Sequence, residues 1–250
     1  MICVSSLAIL GQFHRRMAAL TTIPIGIEQA DRHTRTERIV IASQASLRGR
    51  LDKYDQKNLL VLDEAHHAND DAAATQETAD CFSHVLSLTA SPWSEGALSF
   101  LAESERIKIR YSDALKAGLC APYELQAWEE PRGPFGLVFC SSNKAARLRV
   151  AELRAASWVG IDSGEVPTRI ARWKTGQLGL LCANRMLWEG FDEPRCAAVW
   201  IDRDTESEIA LVQMAGRALR YLSGKTARIH TRTSEQRLRL AAALLRLDWP

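Results

Sequence analysis

The sequence predicts an α/β protein made of two consecutive domains, each a parallel β-sheet covered by helices. Three observations carry this. Short apolar runs alternate with stretches of helical spacing through most of the 250 residues, the pattern of a parallel sheet with helices on both faces. Several of the runs end abruptly in small, polar or charged residues, as Leu59-Leu60-Val61-Leu62 does in Asp63-Glu64, and open α/β sheets bind ligands at the carboxyl ends of their strands. A segment rich in Pro, Gly and charge, Glu129-Glu130-Pro131-Arg132-Gly133-Pro134, interrupts the alternation. It reads as a linker dividing the chain into residues 1–130 and 131–250.

In the first part, Ile2 to Ser5 is a short apolar stretch, and Leu7, Leu10, Phe13, Met17 and Leu20 have the spacing of a helix. Pro24 and Gly26 break that pattern before a strand at Ile23–Ile27, and residues 30–38 form a polar, basic loop. A strand at Arg38–Ser43 leads to a short basic helix at Ser46–Tyr54. Four large apolar residues, Leu59 to Leu62, predict a strand buried on both faces. An Ala-rich helix at residues 70–82 and a strand from His84 ending in Thr89-Ala90-Ser91-Pro92 follow. Residues 107–111 alternate like an exposed strand, and Tyr111–Leu119 is a short helix stopped by Gly118.

The second part repeats the logic. Strands are expected at Gly136–Ser142, Trp158–Ile161, Leu178–Ala183, Ala197–Asp202 and Ala227–Thr231. Helices are expected at residues 143–156, 168–175, 206–221 and 234–247.

Composition narrows the function classes. Hydrophobic residues make up 46% and charged residues 25%, ordinary for a globular protein. A net charge of +2 rules out a global polycation, so nucleic-acid binding has to come from a local groove. Arg, the better planar phosphate clamp, far outnumbers Lys. The six cysteines contain no CxxC pair and fit buried free thiols in a cytoplasmic protein. No run approaches a membrane span, and the N-terminus lacks the basic region of a signal peptide.

Four clusters carry chemistry. Asp63-Glu64-Ala65-His66 closes an apolar strand with two carboxylates. That pair suits Mg²⁺–nucleotide chemistry, one acid holding the metal through water and the other orienting or deprotonating the attacking water, or else it is an acidic turn capping the next helix. Thr89-Ala90-Ser91-Pro92 closes another strand, and Glu189-Gly190-Phe191-Asp192 lies in the second part. Gln213, Arg217 and Arg220 fall at i, i+4 and i+7, one face of a helix, where Gly216 suggests a close approach to the backbone.

Ordered this way, the clusters resemble those of the superfamily 2 helicases and translocases. Val61-Leu62-Asp63-Glu64-Ala65-His66-His67 and Met186-Leu187-Trp188-Glu189-Gly190-Phe191-Asp192 resemble the branch of restriction-enzyme translocating subunits and recombination helicases. The resemblance implies two RecA-like domains with ATP and Mg²⁺ in the cleft between them, and nucleic acid, DNA rather than RNA, as partner. By the same resemblance, His66 couples the site to the second domain, Thr89 and Ser91 couple hydrolysis to movement, and Gln213, Arg217 and Arg220 belong to the motif whose arginines reach the γ-phosphate. Glu189, Gly190 and Asp192 touch nucleotide and nucleic acid. Ser43, Gln44, Ser141 and Ser142 sit where the family contacts the phosphate backbone, although all four serve equally as ordinary helix N-caps. Residues 161–164 with Arg169 and Arg172 resemble the strand and basic helix that precede the Glu-Gly-Phe-Asp motif.

One family feature is missing. The Gly-rich phosphate loop ends in Gly-Lys-Ser/Thr, and the only Gly-Lys here, Gly224-Lys225-Thr226, lies in the second part without the upstream glycine and reads as a turn. The expectation is therefore an N-terminally truncated first domain, its loop supplied by a second chain or lost altogether. The alternative function is a non-catalytic nucleic-acid- or partner-binding remnant. A small-molecule enzyme using the acid pair leaves the arginine motif unexplained.

Overall fold

A computed structural model of the chain describes all residues except 5–6, 30, 35, 48–49, 51–57, 66, 68–71, 91–106, 155, 161–162, 189–190 and 249–250, and only the backbone of 7–8, 44 and 72–74. The chain separates into two compact units, residues 1–105 and 106–250.

The first unit holds strands β1 (Ile2–Val4), β2 (Ile25–Gln29), β3 (Arg32–His33), β4 (Ile39–Ser43), β5 (Leu59–Leu62) and β6 (His84–Ser87). They form one sheet in the order β3-β2-β4-β1-β5-β6, parallel except for β3. Helices α1 (Leu7–Leu20), α2 (Gln44–Leu47) and α3 (Ala72–Asp80) accompany it. Alternation along each strand sends one set of side chains to each face. Val4, Ile27 and Ile41 pack with Ile9 and Leu10 of α1, while Cys3, Val40, Ala42, Leu60 and Leu62 pack with Leu47 and Phe82 on the other side. Gly26 allows the β2–β3 return, since a Cβ there would lie 2.3 Å from the Thr34 carbonyl oxygen.

Leu59–Leu62 is a strand, but it is not buried on both faces. Leu60 and Leu62 are buried and Leu59 is 46% exposed. The reason is topological: α1 covers mainly β1, β2 and β4, so the same face of β5 and β6 lies beyond it.

The second unit holds α4 (Tyr111–Lys116), β7 (Tyr123–Ala127), β8 (Gly136–Cys140), α5 (Asn143–Glu152), β9 (Ala156–Val159), α6 (Val166–Lys174), β10 (Leu180–Ala183), β11 (Ala198–Asp202), α7 (Glu208–Gly216), β12 (Ala227–Thr231) and α8 (Ser234–Leu245). Its six strands are all parallel, in the order β7-β12-β11-β8-β10-β9. The sequence places residues 106–130 with the first domain; the structure places them with the second. β7 is the outer partner of β12, in register from Tyr123 with Ala227 to Ala127 with Thr231, so the Pro/Gly segment joins two strands of one sheet. No strand forms at residues 107–111, where Ile107 and Ile109 are exposed. The strand β8 is buried along its whole length and flanked by β10 and β11. Gly136 begins it because a Cβ there would lie 2.7 Å from the Trp200 ring.

His230 of β12 is fully buried and stacks on Trp200 with ring centroids 4.8 Å apart. Burial, with Arg228 and Arg132 adding to it, outweighs the Ala127 carbonyl and Glu129 and holds its pKa below the ordinary 6.5. A histidine kept neutral in the fold contributes stability that is present above its unfolded pKa and lost as pH falls through and below that value. The second unit should therefore show a lower denaturant midpoint at pH about 5 than at about 7, and His230→Gln should flatten that part of the profile.

Candidate functional site

The acid pair is held by backbone from both neighbouring strands. The Asp63 amide donates to the Cys3 carbonyl of β1 at 2.9 Å, and Leu88, just past β6, donates to Leu62 at 2.8 Å. The Ala65 amide then donates to the Leu88 carbonyl at 2.8 Å. The turn is sharp: Glu64 has φ 52°, a left-handed conformation that costs a non-glycine residue on the order of 1 kcal/mol or more. These bonds bring the segment carrying Thr89 alongside Asp63-Glu64. They fix two adjacent carboxylates at the carboxyl end of β5, with the Cys3 thiol beneath pushed up to about 12 by burial and by Asp63. Two oxygen donors there suit a hard cation such as Mg²⁺ that takes its other ligands from phosphate and water. Among the described residues, no group of three or more His, Cys, Asp or Glu forms a metal cage.

In the second unit, α7 ends at Gly216, and Arg217 caps it. Arg217 is buried; its Nη1 donates to the Phe191 carbonyl at 2.5 Å and its Nε to the Gln213 carbonyl at 3.4 Å. Arg220 lies beyond the helix, half exposed, with Nε 3.4 Å from an Asp192 carboxylate oxygen. The Phe191 ring lies 5.5 Å from that of buried Trp173, and Lys174 Nζ donates to the Asp192 carbonyl at 3.5 Å. Phe191-Asp192 is thus clasped by Arg217, Arg220, Trp173 and Lys174.

Residues 4–94 match the family model described as the res subunit of type III restriction enzymes. A 51.5 kDa protein of Lactococcus phage (isolate 7-9) is 24% identical, over 72% of this chain and 50% of its own length. The type ISP restriction-modification enzyme LlaBIII bound to DNA superposes with a TM-score of 0.74 at 11% identity, over 99% of this chain and 26% of that one. Residues 4–94 are thus similar to a restriction-subunit family, and the chain as a whole shares the fold of this solved structure. S. cerevisiae Dbp5 bound to RNA and ADP BeF3 superposes with a TM-score of 0.65 at 15% identity, over 98% of this chain and 74% of that one. The two sheets accordingly have the RecA-like architecture of such neighbours. The chain spans about half the length of the phage relative it matches.

The structure departs from the sequence reading at several positions. Gln213, Arg217 and Arg220 do not share one helix face, because the helix stops at Gly216. Among the described residues Gly216 meets no close neighbour: a Cβ there would have nothing within 4 Å, so no packing of the protein itself requires the glycine. Ser43 is buried and its hydroxyl lies 2.7 Å from that of Ser46, a local contact. Ser142 is the N-cap of α5, accepting from the Ala145 amide at 3.0 Å, and Ser141 beside it is exposed. His66, Ser91, Glu189 and Gly190 lie outside the described residues, as does the side chain of Gln44. Lys225 of Gly224-Lys225-Thr226 donates to the Pro194 and Cys196 carbonyls at 2.7 and 3.2 Å, which fixes it as a structural turn. Sequence inspection missed Trp173 and Lys174, whose place beside Phe191 depends on tertiary packing that no local spacing encodes. Among the described residues, no helix is long and apolar enough to cross a membrane.

Proposed function

We propose that this chain is the motor portion of an ATP-dependent DNA helicase or translocase, coupling ATP hydrolysis to movement on or unwinding of nucleic acid. The observation that supports this best is the Asp63-Glu64 turn, a strained pair of carboxylates held at a strand end by β1 and by the segment bearing Thr89. Magnesium-bound ATP supplies the transferable phosphoryl group and neutralises its charge when present. Asp63 would hold the metal, Glu64 would orient the attacking water and take its proton, and Thr89 would link the site to the nucleic-acid track. Arg220, half exposed beside Asp192, would supply a cation for phosphoryl charge. Arg217 positions the Phe191-Asp192 segment, and Gln213 supports Arg217. His66, Ser91, Glu189 and Gly190 enter on resemblance alone, and Ser43, Gln44, Ser141 and Ser142 as backbone-phosphate contacts.

DNA is favoured over RNA because the matching family model and LlaBIII are both of restriction enzymes. One observation favours the second reading, a non-catalytic nucleic-acid-binding remnant: the sequence has no Gly-rich phosphate loop, and Lys225 is committed to a turn. In the motor reading, that loop comes from another segment or a second chain.

Binding of the 250-residue chain to labelled oligo(dT) and oligo(U), followed by fluorescence anisotropy across a salt series, tests the nucleic-acid part. The expected result is saturable binding, tighter for DNA, that weakens steeply with salt. Binding to neither strand at low salt overturns it.

A further inference from the structure

The carboxyl end of the second sheet carries two cations that no acid among the described residues neutralises. β10 and β11 flank β8, with Ala183 and Ile201 both in register with Phe139. Asn184 and Arg185 follow β10, Arg203 follows β11, and Ser141 and Ser142 follow β8 between them. Arg203 Nη1 donates to Asn184 Oδ1 at 3.1 Å, spanning the end of β8. Trp188 sits on the turn after β10, its amide donating to the Arg185 carbonyl at 3.1 Å. The guanidinium carbons of Arg203 and Arg185 lie 4.4 and 5.8 Å from the centre of its indole ring.

Like charges gathered on one aromatic ring repel, and nearby acids usually compensate them. Here the adjacent acid, Asp202, already pairs with Arg149 and Arg232. Among the described residues, neither Arg185 nor Arg203 has a carboxylate partner. Among the described residues, two buried donors of this cluster, Arg203 Nε and Trp188 Nε1, have no acceptor, and an unfilled donor in a low-dielectric site is costly. Burial first, and then the charge of Arg185, lower the pKa of Arg203, the opposite of what an acid partner would do. The cluster gathers two guanidinium groups and two unfilled donors around one indole.

We propose that Arg185 and Arg203, arranged around Trp188, bind a backbone phosphate of a single nucleic-acid strand. The planar fork of arginine suits phosphate oxygens. The position, at strand ends beside exposed Ser141 and one residue before the Glu189-Gly190-Phe191-Asp192 segment, puts the phosphate on the ligand-binding edge of this sheet. This rests on the nucleic-acid reading above. It adds residues that the helicase-like motif pattern does not include.

The test is oligo(dT) binding by the whole chain carrying Arg185→Ala, Arg203→Lys or both, with Arg15→Ala, an exposed cation on α1, as a control for charge alone. Arg203→Lys keeps the charge and the stem that covers Trp188, so its effect reads out the lost fork and not a lost fold. Arg185→Ala should bind about tenfold more weakly. Its log–log salt slope should be shallower by about 0.7, the value for one phosphate contact on a single strand. Arg203→Lys should weaken binding with an unchanged slope, and Arg15→Ala should match the wild type. Variants that bind like the wild type, or a control that weakens as much as they do, overturn the assignment while leaving the nucleic-acid reading intact. A wild-type chain that binds no strand overturns both. Binding of a fluorescent ATP analogue distinguishes the two sources of phosphate: a loss there with DNA binding retained overturns the assignment to a strand.

Discussion

Trp173→Ala should destabilise the second unit by about 3–5 kcal/mol, the range for truncating a buried tryptophan. Trp173 is wholly buried at the end of α6, its Nε1 donating to the Gly179 carbonyl at 3.1 Å. Its ring lies 5.9 Å from Phe135 and 5.5 Å from Phe191. Alanine opens a cavity under Phe191 and removes one of the two donors to the Gly179 carbonyl, leaving the Gly136 amide at 3.0 Å. Because Phe191 supplies the carbonyl that Arg217 holds, the damage should reach the site as well as the core. Urea denaturation followed by circular dichroism measures it. Trp173→Phe keeps most of the ring volume and should recover a large part of the loss. A cost below about 1 kcal/mol for the alanine variant would mean that the ring does not support this corner.

Arg217 and Arg220 should separate by stability. Arg217 is buried and donates to two backbone carbonyls, so Arg217→Ala should cost about 2–3 kcal/mol through the loss of charge-assisted hydrogen bonds and the orphaning of the Phe191 carbonyl. Arg220→Ala removes a half-exposed side chain from a surface ion pair with Asp192 and should cost less than about 1 kcal/mol. The expected result is one variant that unfolds more easily and one that folds normally but has lost its ion pair with Asp192. Equal costs in denaturant would contradict the assignment of Arg217 as a positioning residue and Arg220 as the presented one.

The fold class was readable because it depends on alternation. The apolar spacing from Leu7 to Leu20 gave α1 its observed limits, and Ala227–Thr231 and Leu59–Leu62 stood out as strands. What went astray depends on tertiary context. β7 escaped notice because Tyr-Glu-Leu-Gln-Ala is half polar, as an edge strand is, and only its pairing with β12 makes it a strand. That one strand moves the boundary of the second unit back from residue 131 to 106. The exposure of Leu59 follows from where α1 lies on the sheet, which the strand itself does not encode. At the site, spacing named Arg217 and Arg220 together. Which of them is buried depends on α7 ending at Gly216, a few residues short of the helix that periodicity implied. Arg185, Trp188 and Arg203 lie apart in sequence and meet because β10 and β11 flank one strand.

On the proposed function, the acid pair is in place while the sequence has no phosphate-binding loop. DNA-stimulated phosphate release from ATP by the purified 250-residue chain, with Glu64→Gln beside it, tests this most directly. The account predicts that the chain binds DNA and that its ATP turnover stays at background with DNA present, equal in the wild type and Glu64→Gln. Robust DNA-stimulated turnover that Glu64→Gln abolishes would contradict it.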